Sequence, residues 1–183
     1  MRVIGGEFRS RRLQSVPGEA TRPTPDRLRE TLFDILAPRI EGAVFVDAYA
    51  GTGAAGIEAL SRGAKHAFFL EKNRVALEAI RENLASLQLE PRATVLAGPV
   101  GLTIGRIAAQ AGIVFADPPY TLEREYAALF EALAAQPAPL VIVQHAARFA
   151  LPAAPSLVVL RTVRQGDNML TFLAPEEFGP QLQ

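Results

Sequence analysis

The chain has 183 residues, of which 49% are apolar and 21% are charged, with no cysteine and a formal net charge of zero. This length and composition are typical of one folded domain and exclude disulfide scaffolds, cysteinyl metal clusters and thiolate nucleophiles. With two histidines and no apolar run near the ~18 residues of a membrane span, we expect a cytoplasmic protein without a metal ion or a membrane partner.

The first 30 residues are basic, although the chain as a whole is neutral. They contain seven arginines and four acidic residues, which gives a net charge of +3. Solvated charges without a binding role are one interpretation, and an arm that contacts nucleic-acid phosphates is the other; composition alone does not distinguish them. The candidate phosphate contacts are Arg2, Arg9, Arg11, Arg12, Arg22, Arg27 and Arg29.

Two local patterns organise this N-terminal part. Weak apolar alternation over residues 3–14 predicts a small hairpin. Thr24 and Pro25 are typical of an N-cap followed by the first residue of a helix. Apolar residues at helical spacing then predict a helix that packs on a sheet, with Arg27 and Arg29 on its exposed face.

Short apolar runs then alternate with segments of helical composition. Strands are predicted at 43–48, 66–71, 93–97, 113–117, 140–144, 157–163 and 169–174, and helices at 53–62, 74–87, 100–111 and 123–135. Runs such as GIVFAD are apolar at successive positions, so both faces of the strand are apolar. This indicates a sheet covered by helices on both faces. The predicted fold class is α/β, a mostly parallel seven-stranded sheet with helices on both faces and an antiparallel strand at one edge.

A glycine-rich turn follows the first of the core strands. Gly51, Gly53 and Gly56 have the G-x-G-x-x-G spacing, which lets a ligand approach backbone amides at a helix N-terminus. A glycine turn without a ligand is the alternative. Glu71, at the end of the second strand, favours a nucleoside, because its two carboxylate oxygens can accept both ribose hydroxyls.

Asp47, four residues before the first glycine, narrows the choice of nucleoside. A carboxylate there would repel a pyrophosphate and suit a cation. S-adenosylmethionine carries a sulfonium and an ammonium group and meets this requirement. The alternatives are a helix-capping carboxylate for Asp47 and a simple strand-end acid for Glu71.

Asp117-Pro118-Pro119-Tyr120 directly follows the fourth strand. Prolines cannot continue a central strand, so the chain turns here. A rigid turn can aim the Asp117 carboxylate and the Pro118 carbonyl at one exocyclic amine and direct its lone pair at a methyl group. Catalysis would then be mainly orientation and electrostatic stabilisation, with Tyr120 stacked on the base. A structural strand terminator is the alternative.

These motifs together resemble a known class of enzymes. DAYAGTG, FLEKN and DPPY resemble the class I, Rossmann-like methyltransferases that use S-adenosylmethionine and modify exocyclic amines of nucleic-acid bases. MRVIGGEFRSRRL and TRPTPDRLRETLFDIL are similar to the RsmD family, which methylates the N2 amine of one guanine in 16S rRNA of the small ribosomal subunit. The resemblance implies a basic N-terminal hairpin or arm, residues 1–24, ahead of a methyltransferase domain, residues 25–183.

The resemblance also assigns roles to residues. It implies that the guanine is received by Asp117, Pro118, Pro119 and Tyr120. It implies that the cofactor is held by Asp47, Tyr49, Gly51, Thr52, Gly53, Glu71 and Thr24. One departure is Ala97-Gly98-Pro99, where related enzymes often carry an acid or amide for adenine.

Three other functions fit parts of the pattern. A DNA adenine-N6 methyltransferase could use the same acceptor pair, a non-catalytic RNA-binding assembly factor could keep the fold, and a nicotinamide-dependent dehydrogenase could use the glycine turn. The intact DPPY motif argues against the last two. We expect a monomer that acts on 16S rRNA, naked or in a partly assembled subunit, because the guanine must leave its stack.

Overall fold

The computed structural model describes residues 1–16, 26–119 and 123–181. Its helices and strands are α1 (Asp26–Ile40), β1 (Val44–Ala48), α2 (Ala54–Ser61), β2 (His66–Glu71), α3 (Arg74–Ser86), β3 (Ala93–Ala97), α4 (Val100–Thr103), β4 (Ile113–Ala116), α5 (Glu123–Leu133), β5 (Leu140–Ala146), β6 (Val158–Gln165) and β7 (Asn168–Ala174). Short 3-10 helices lie at Glu90–Arg92, Ile104–Arg106, Ala108–Gln110 and Glu176–Gln181. Within the described ranges, no helix has the length and apolar character needed to cross a membrane.

The described strands form one seven-stranded sheet in the order β3-β2-β1-β4-β5-β7-β6. Strands β1 to β5 run parallel to one another, and β7 runs antiparallel to both of its neighbours. The predicted α/β sheet is confirmed. The reversed strand is β7, one position inside the edge that β6 forms. The strand order reverses between β1 and β4, and the carboxyl ends of parallel strands leave a crevice for ligands at such a point.

Helices cover both faces of the sheet. Successive residues of β1 point to opposite faces, so Phe45 enters the apolar cluster with α1, α2 and α3, and Val46 enters the cluster with α4 and α5. Both side chains are fully buried. This two-sided burial explains why the central strands are apolar throughout and do not alternate with polar residues.

The predicted helix over residues 100–111 is wrong in its extent. Helix α4 ends at Thr103, and two 3-10 helices follow it. Gly105 lies in the middle of the predicted span, and glycine weakens a helix interior. The Thr103 hydroxyl donates to the Pro99 carbonyl at 2.8 Å and closes the short turn. Helices α2, α3 and α5 begin and end within two residues of their predicted bounds.

Residues 1–13, here called the N-terminal hairpin, fold back on themselves as the sequence predicted. The Val3 N–H donates to the Arg11 carbonyl at 3.0 Å. Gly6 has a φ of +75°, and a Cβ atom at this position would collide with the Ser61 carbonyl at the end of α2. Glycine therefore allows the hairpin to lie directly against α2.

Candidate active site

The ends of three parallel strands bring the candidate residues to one edge of the sheet. Strand β1 pairs with both β2 and β4, and Ala48 at its end lies opposite Leu70 of β2 and Ala116 of β4. Glu71 and Asp117 are the residues that follow these two partners in the chain. The segment Gly51–Gly53, here called the glycine turn, lies between them at the same edge. This is the crevice at which the strand order reverses, as the sequence predicted for the fourth strand.

The glycine turn has a left-handed backbone at both of its glycines. Gly51 has a φ of +54° and Gly53 a φ of +79°, and Gly53 is the N-cap of α2. A Cβ atom on Gly51 would meet no other described atom within 4 Å, so open space lies beside its backbone. A Cβ atom on Gly56, in contrast, would collide with the Phe69 ring, which makes this third glycine a packing requirement between helix and strand.

Asp47 is buried beneath the glycine turn, with 2% of its surface exposed. Its Oδ2 atom accepts a hydrogen bond from the Gly56 N–H at 2.8 Å, so the carboxylate caps the first turn of α2. Burial raises the pKa of Asp47 to about 8, and the negative charges of Asp117 and Glu71 add to this effect. The Gly56 hydrogen bond and the charge of Arg29 oppose it.

We expect Asp47→Asn to change how stability depends on pH. The pKa of Asp47 is about 8 in the folded protein and 3.8 in the reference state, so the unfolded chain releases this proton first. Wild-type stability therefore falls as pH rises from about 4 to about 8, and this contribution disappears in the variant. The asparagine variant becomes more stable relative to wild type as pH rises, by about 1.4 kcal/mol for each unit by which the folded pKa exceeds the unfolded one. Urea unfolding at several pH values measures this difference, and a difference independent of pH would contradict the prediction.

Glu71 is bonded to the backbone on both sides of the crevice. Its Oε2 atom accepts from the Gly51 N–H at 2.9 Å, and its Oε1 atom accepts from the N–H groups of Lys72 at 2.8 Å and Asn73 at 2.7 Å. A carboxylate oxygen accepts about two hydrogen bonds. Among the described residues, Oε1 thus accepts its full two hydrogen bonds, and Oε2 can accept one more. Glu71 can therefore accept a hydrogen bond from one ribose hydroxyl, where the sequence predicted two.

The hydroxyls of Tyr49 and Thr52 are already engaged. The Tyr49 hydroxyl lies 3.1 Å from both the backbone carbonyl and the Oε2 atom of Glu125, and the backbone of Tyr49 is left-handed with a φ of +67°. The Thr52 hydroxyl lies 3.3 Å from the Met1 sulfur. A cofactor contact from Tyr49 would therefore use its ring or its backbone. Thr24 is outside the described residues.

The corner after β4 lies beside the glycine turn. Asp117 is half-buried, Pro118 is buried and Pro119 is exposed; Tyr120 is outside the described residues. The charge of Asp117 acts on Asp47, which locates the two carboxylates close to each other. The register agrees, because Asp47 pairs with Phe115 and residue 117 follows on the same face of the sheet.

The end of β3 offers adenine no side-chain acceptor. Residues 97–99 are Ala, Gly and Pro. The Gly98 N–H donates to the Glu71 carbonyl at 2.9 Å, so this backbone donor is also engaged. Related enzymes often have an acid or amide here that contacts adenine, and these three residues offer neither such a side chain nor a free Gly98 N–H in its place.

Five of the predicted RNA-contacting arginines are exposed, and one is not. Arg2, Arg9, Arg11 and Arg12 lie exposed on the N-terminal hairpin and Arg27 on α1, whereas Arg22 is outside the described residues. The prediction that Arg29 faces solvent is wrong, since only 2% of its surface is exposed. Its Nη2 atom donates to the Arg2 carbonyl at 2.6 Å and to Asp26 Oδ1 at 3.0 Å. Arg29 therefore holds the backbone of the hairpin through the Arg2 carbonyl, and its buried charge is not available to RNA.

Glu58, which the sequence analysis did not single out, anchors the N-terminal hairpin. It is fully buried on α2 and accepts from the N–H groups of Ile4 at 2.7 Å and Gly5 at 2.8 Å, and from Arg62 Nε at 2.8 Å. Its Oε2 atom also lies 4.0 Å from Arg29 Nε. One signal could have found it, because Glu58 is the lone charged residue in the apolar helix AAGIEALS. A charge on a buried face needs partners.

Comparison with known proteins adds independent information. A family model described as "Conserved hypothetical protein 95" matches residues 1–174. YlbH of Bacillus subtilis (strain 168) is 37% identical over 123 residues, which are 66% of this chain and 67% of YlbH. Ribosomal RNA small subunit methyltransferase D of Escherichia coli (strain K12) is 40% identical over 120 residues, 66% of this chain and 60% of that protein. The alignment with the Escherichia coli protein thus spans less than two thirds of its length.

Solved structures agree over a larger part of the chain. The structure of a hypothetical protein from Thermus thermophilus superimposes with a TM-score of 0.77 at 35% sequence identity. The match covers 94% of this chain and 98% of that chain. The similarity therefore includes the sheet, its helices and the edge that carries the glycine turn.

Proposed function

From the premise that the chain belongs to the RsmD family of rRNA methyltransferases, the family described as conserved hypothetical protein 95, we propose that it methylates the exocyclic N2 amine of a guanine in 16S rRNA. The methyl donor is S-adenosylmethionine. The DNA adenine-N6 alternative is not favoured, because the curated relatives are named as rRNA methyltransferases. The reaction then belongs in the cytoplasm, where small ribosomal subunits assemble.

The observation that carries the proposal is the gathering of three carboxylates around an open glycine turn. Asp47, Glu71 and Asp117 meet at one edge of the sheet, and Arg29 is the cation whose charge offsets Asp47. A ligand with positive charge fits this surplus of acid, and a pyrophosphate does not. The open space beside Gly51 and the remaining acceptor capacity of Glu71 Oε2 fit a nucleoside at the same place.

Each residue then has a defined part in the reaction. The cofactor supplies an electrophilic methyl group when bound. Asp47 balances its charge, the glycine turn accommodates its methionine part, and Glu71 Oε2 accepts one ribose hydroxyl. Asp117 and the Pro118 carbonyl accept the two hydrogens of the guanine amine and orient its lone pair, so that the developing positive charge on nitrogen faces a carboxylate. The proton leaves to solvent after transfer, and Tyr120 is proposed to stack on the base.

The exposed arginines of the N-terminal hairpin supply the proposed RNA contacts. A surface cleft beside them is lined by Met1, Arg2, Ser10, Arg12, Leu13 and Asp26. Because Met1 contacts Thr52 of the glycine turn, phosphates bound along the hairpin would lie close to the reacting base. Arg27 and Arg22 extend this proposed surface. Binding should weaken as salt concentration rises.

Methyl transfer from S-adenosylmethionine labelled on its methyl group tests the proposal. Unmodified 16S rRNA, partly assembled small subunits and duplex DNA serve as parallel substrates, and nucleosides are identified by mass spectrometry after digestion. We expect label in N2-methylguanosine from RNA or subunits. Label confined to adenine in DNA, or no transfer to any guanine amine, would overturn it.

A further inference from the structure

Asn83 of α3 contacts two parts of the chain that are far apart in sequence. Its side chain is 1% exposed. The Oδ1 atom accepts from the Gln14 N–H at 2.7 Å, and the Nδ2 atom donates to the Gln14 carbonyl at 3.2 Å and to the Thr52 carbonyl at 3.0 Å. One buried amide thus joins Gln14, the residue that follows the N-terminal hairpin, to the glycine turn.

This arrangement requires the chemistry of an amide. A carboxamide has an acceptor oxygen and two N–H donors, and all three functions of Asn83 are used. Aspartate has the same shape but lacks both donors, so its carboxylate would face two carbonyl oxygens. Leucine would leave three backbone groups without partners, and such buried groups are costly. The residue is thus suited to holding Gln14 and Thr52 at a fixed separation.

Neighbouring contacts make the link stiff at its hairpin end. Leu13 belongs to the main apolar cluster, and Val16 packs against Ala76 and Ala79 on the same helix as Asn83. The segment therefore docks on both sides of Gln14. At the other end, the Gly51 N–H is held by Glu71, so the glycine turn has few ways to move without moving the Thr52 carbonyl.

We propose that Asn83 is a positioning residue that couples the glycine turn to the N-terminal hairpin, so that a nucleoside cofactor bound at the turn orders the segment that presents arginines to RNA. The inference rests on the proposed function, because it takes the glycine turn as the cofactor site. A ligand that restrains Thr52 restrains Asn83, and Asn83 then restrains both backbone groups of Gln14. Coupling of this kind is reciprocal, so RNA bound to the hairpin tightens cofactor binding by the same factor.

Amide hydrogen exchange, followed residue by residue by NMR on the full chain, tests the coupling. The probe is S-adenosylhomocysteine, and its affinity is measured in parallel by calorimetry. In wild type, we expect saturating S-adenosylhomocysteine to slow exchange of the Gln14 N–H and its hairpin neighbours about tenfold. In Asn83→Leu and Asn83→Asp the ligand still binds at higher concentration, but the hairpin exchange no longer responds to it.

Two control variants separate coupling from a general loss of stability. Ser86→Ala removes a hydroxyl that donates to the Asn83 backbone carbonyl. Gln14→Ala shortens the Gln14 side chain but keeps the backbone N–H and carbonyl that bond to Asn83. Both should retain the ligand-dependent protection. Asn83→Asp provides the reading if Asn83→Leu does not fold, because it preserves side-chain volume and one acceptor.

The outcomes distinguish this inference from the function it rests on. If wild type does not bind S-adenosylhomocysteine, the proposed cofactor site fails and the coupling fails with it. If wild type binds the ligand and the hairpin exchange does not respond, the coupling alone is overturned. If the Asn83 variants lose stability but keep the ligand-dependent protection, Asn83 is only a structural support, and the inference is likewise overturned.

Discussion

Asp117→Ala is expected to lower methyl transfer to 16S rRNA by about a hundredfold to a thousandfold at saturating cofactor. In the proposed reaction, the Asp117 side chain supplies the charged acceptor that orients the amine and faces the positive charge as it develops. RNA affinity should change less than about twofold, because the arginines proposed to contact RNA lie on the N-terminal hairpin and α1. Single-turnover transfer and filter binding measure the two quantities on the same preparations.

Two further variants define this effect. Asp117→Asn keeps an acceptor oxygen but loses the charge, so we expect an intermediate loss of about tenfold. Glu131→Ala removes an exposed acid from α5 without touching the crevice and should retain wild-type rates. The charge at 117 also raises the pKa of Asp47, so Asp117→Ala should lower that pKa. Transfer within a few-fold of wild type in Asp117→Ala would contradict the assigned role.

The second large effect is on stability. We expect Glu58→Ala to lower the free energy of unfolding by about 3 to 5 kcal/mol, because it removes the carboxylate that bonds Arg62 and lies beside the buried Arg29, which keeps only Asp26 as an acidic partner among the described residues. Two backbone N–H groups of the hairpin, those of Ile4 and Gly5, lose their acceptors at the same time. Urea unfolding measures the loss, and amide exchange over residues 3–12 should become fast while exchange in the central strands follows global stability.

Asp34→Ala is the matched control for this change. Asp34 is an exposed partner of Arg62 at 3.3 Å, and exposed ion pairs contribute up to about 1 kcal/mol. Glu58→Gln keeps one acceptor oxygen and should fall between the two variants. A loss below about 1 kcal/mol in Glu58→Ala would show that the hairpin is held by its apolar contacts and not by this carboxylate.

Local patterns were sufficient to predict the sheet and the crevice. Strand runs such as GIVFAD depend on burial from both sides, and the DPPY corner depends on the backbone limits of proline, so neighbouring residues contain the required information. Glu71 and Asp117 follow from the same logic, because the ends of parallel strands meet at one edge. The roles of their side chains are still predictions.

The contacts of Arg29 and Asn83 with the N-terminal segment could not be predicted from such local patterns. Arg29 lies three residues before Leu32 and seven before Leu36, so its helical position is on the buried face, and its charge alone favoured the exposed face. The buried guanidinium contacts the Arg2 carbonyl, 27 residues earlier in the chain, and Glu58, 29 residues later. Asn83 is similar, since its three bonds reach 31 and 69 residues along the chain. Contacts over such distances leave no periodic pattern in the sequence.

The buried carboxyl under the glycine turn has a further consequence for the catalytic cycle proposed above. Because burial raises the pKa of Asp47 to about 8, this carboxyl binds its proton more tightly than an ordinary carboxyl does. A cation held against Asp47 would favour its charged form, so binding of the proposed donor should release a proton and strengthen in mildly alkaline solution. If the sulfonium is the cation that faces Asp47, this carboxyl would take its proton back once the methyl group has been transferred, and the site would then hold the spent donor less tightly than the fresh one.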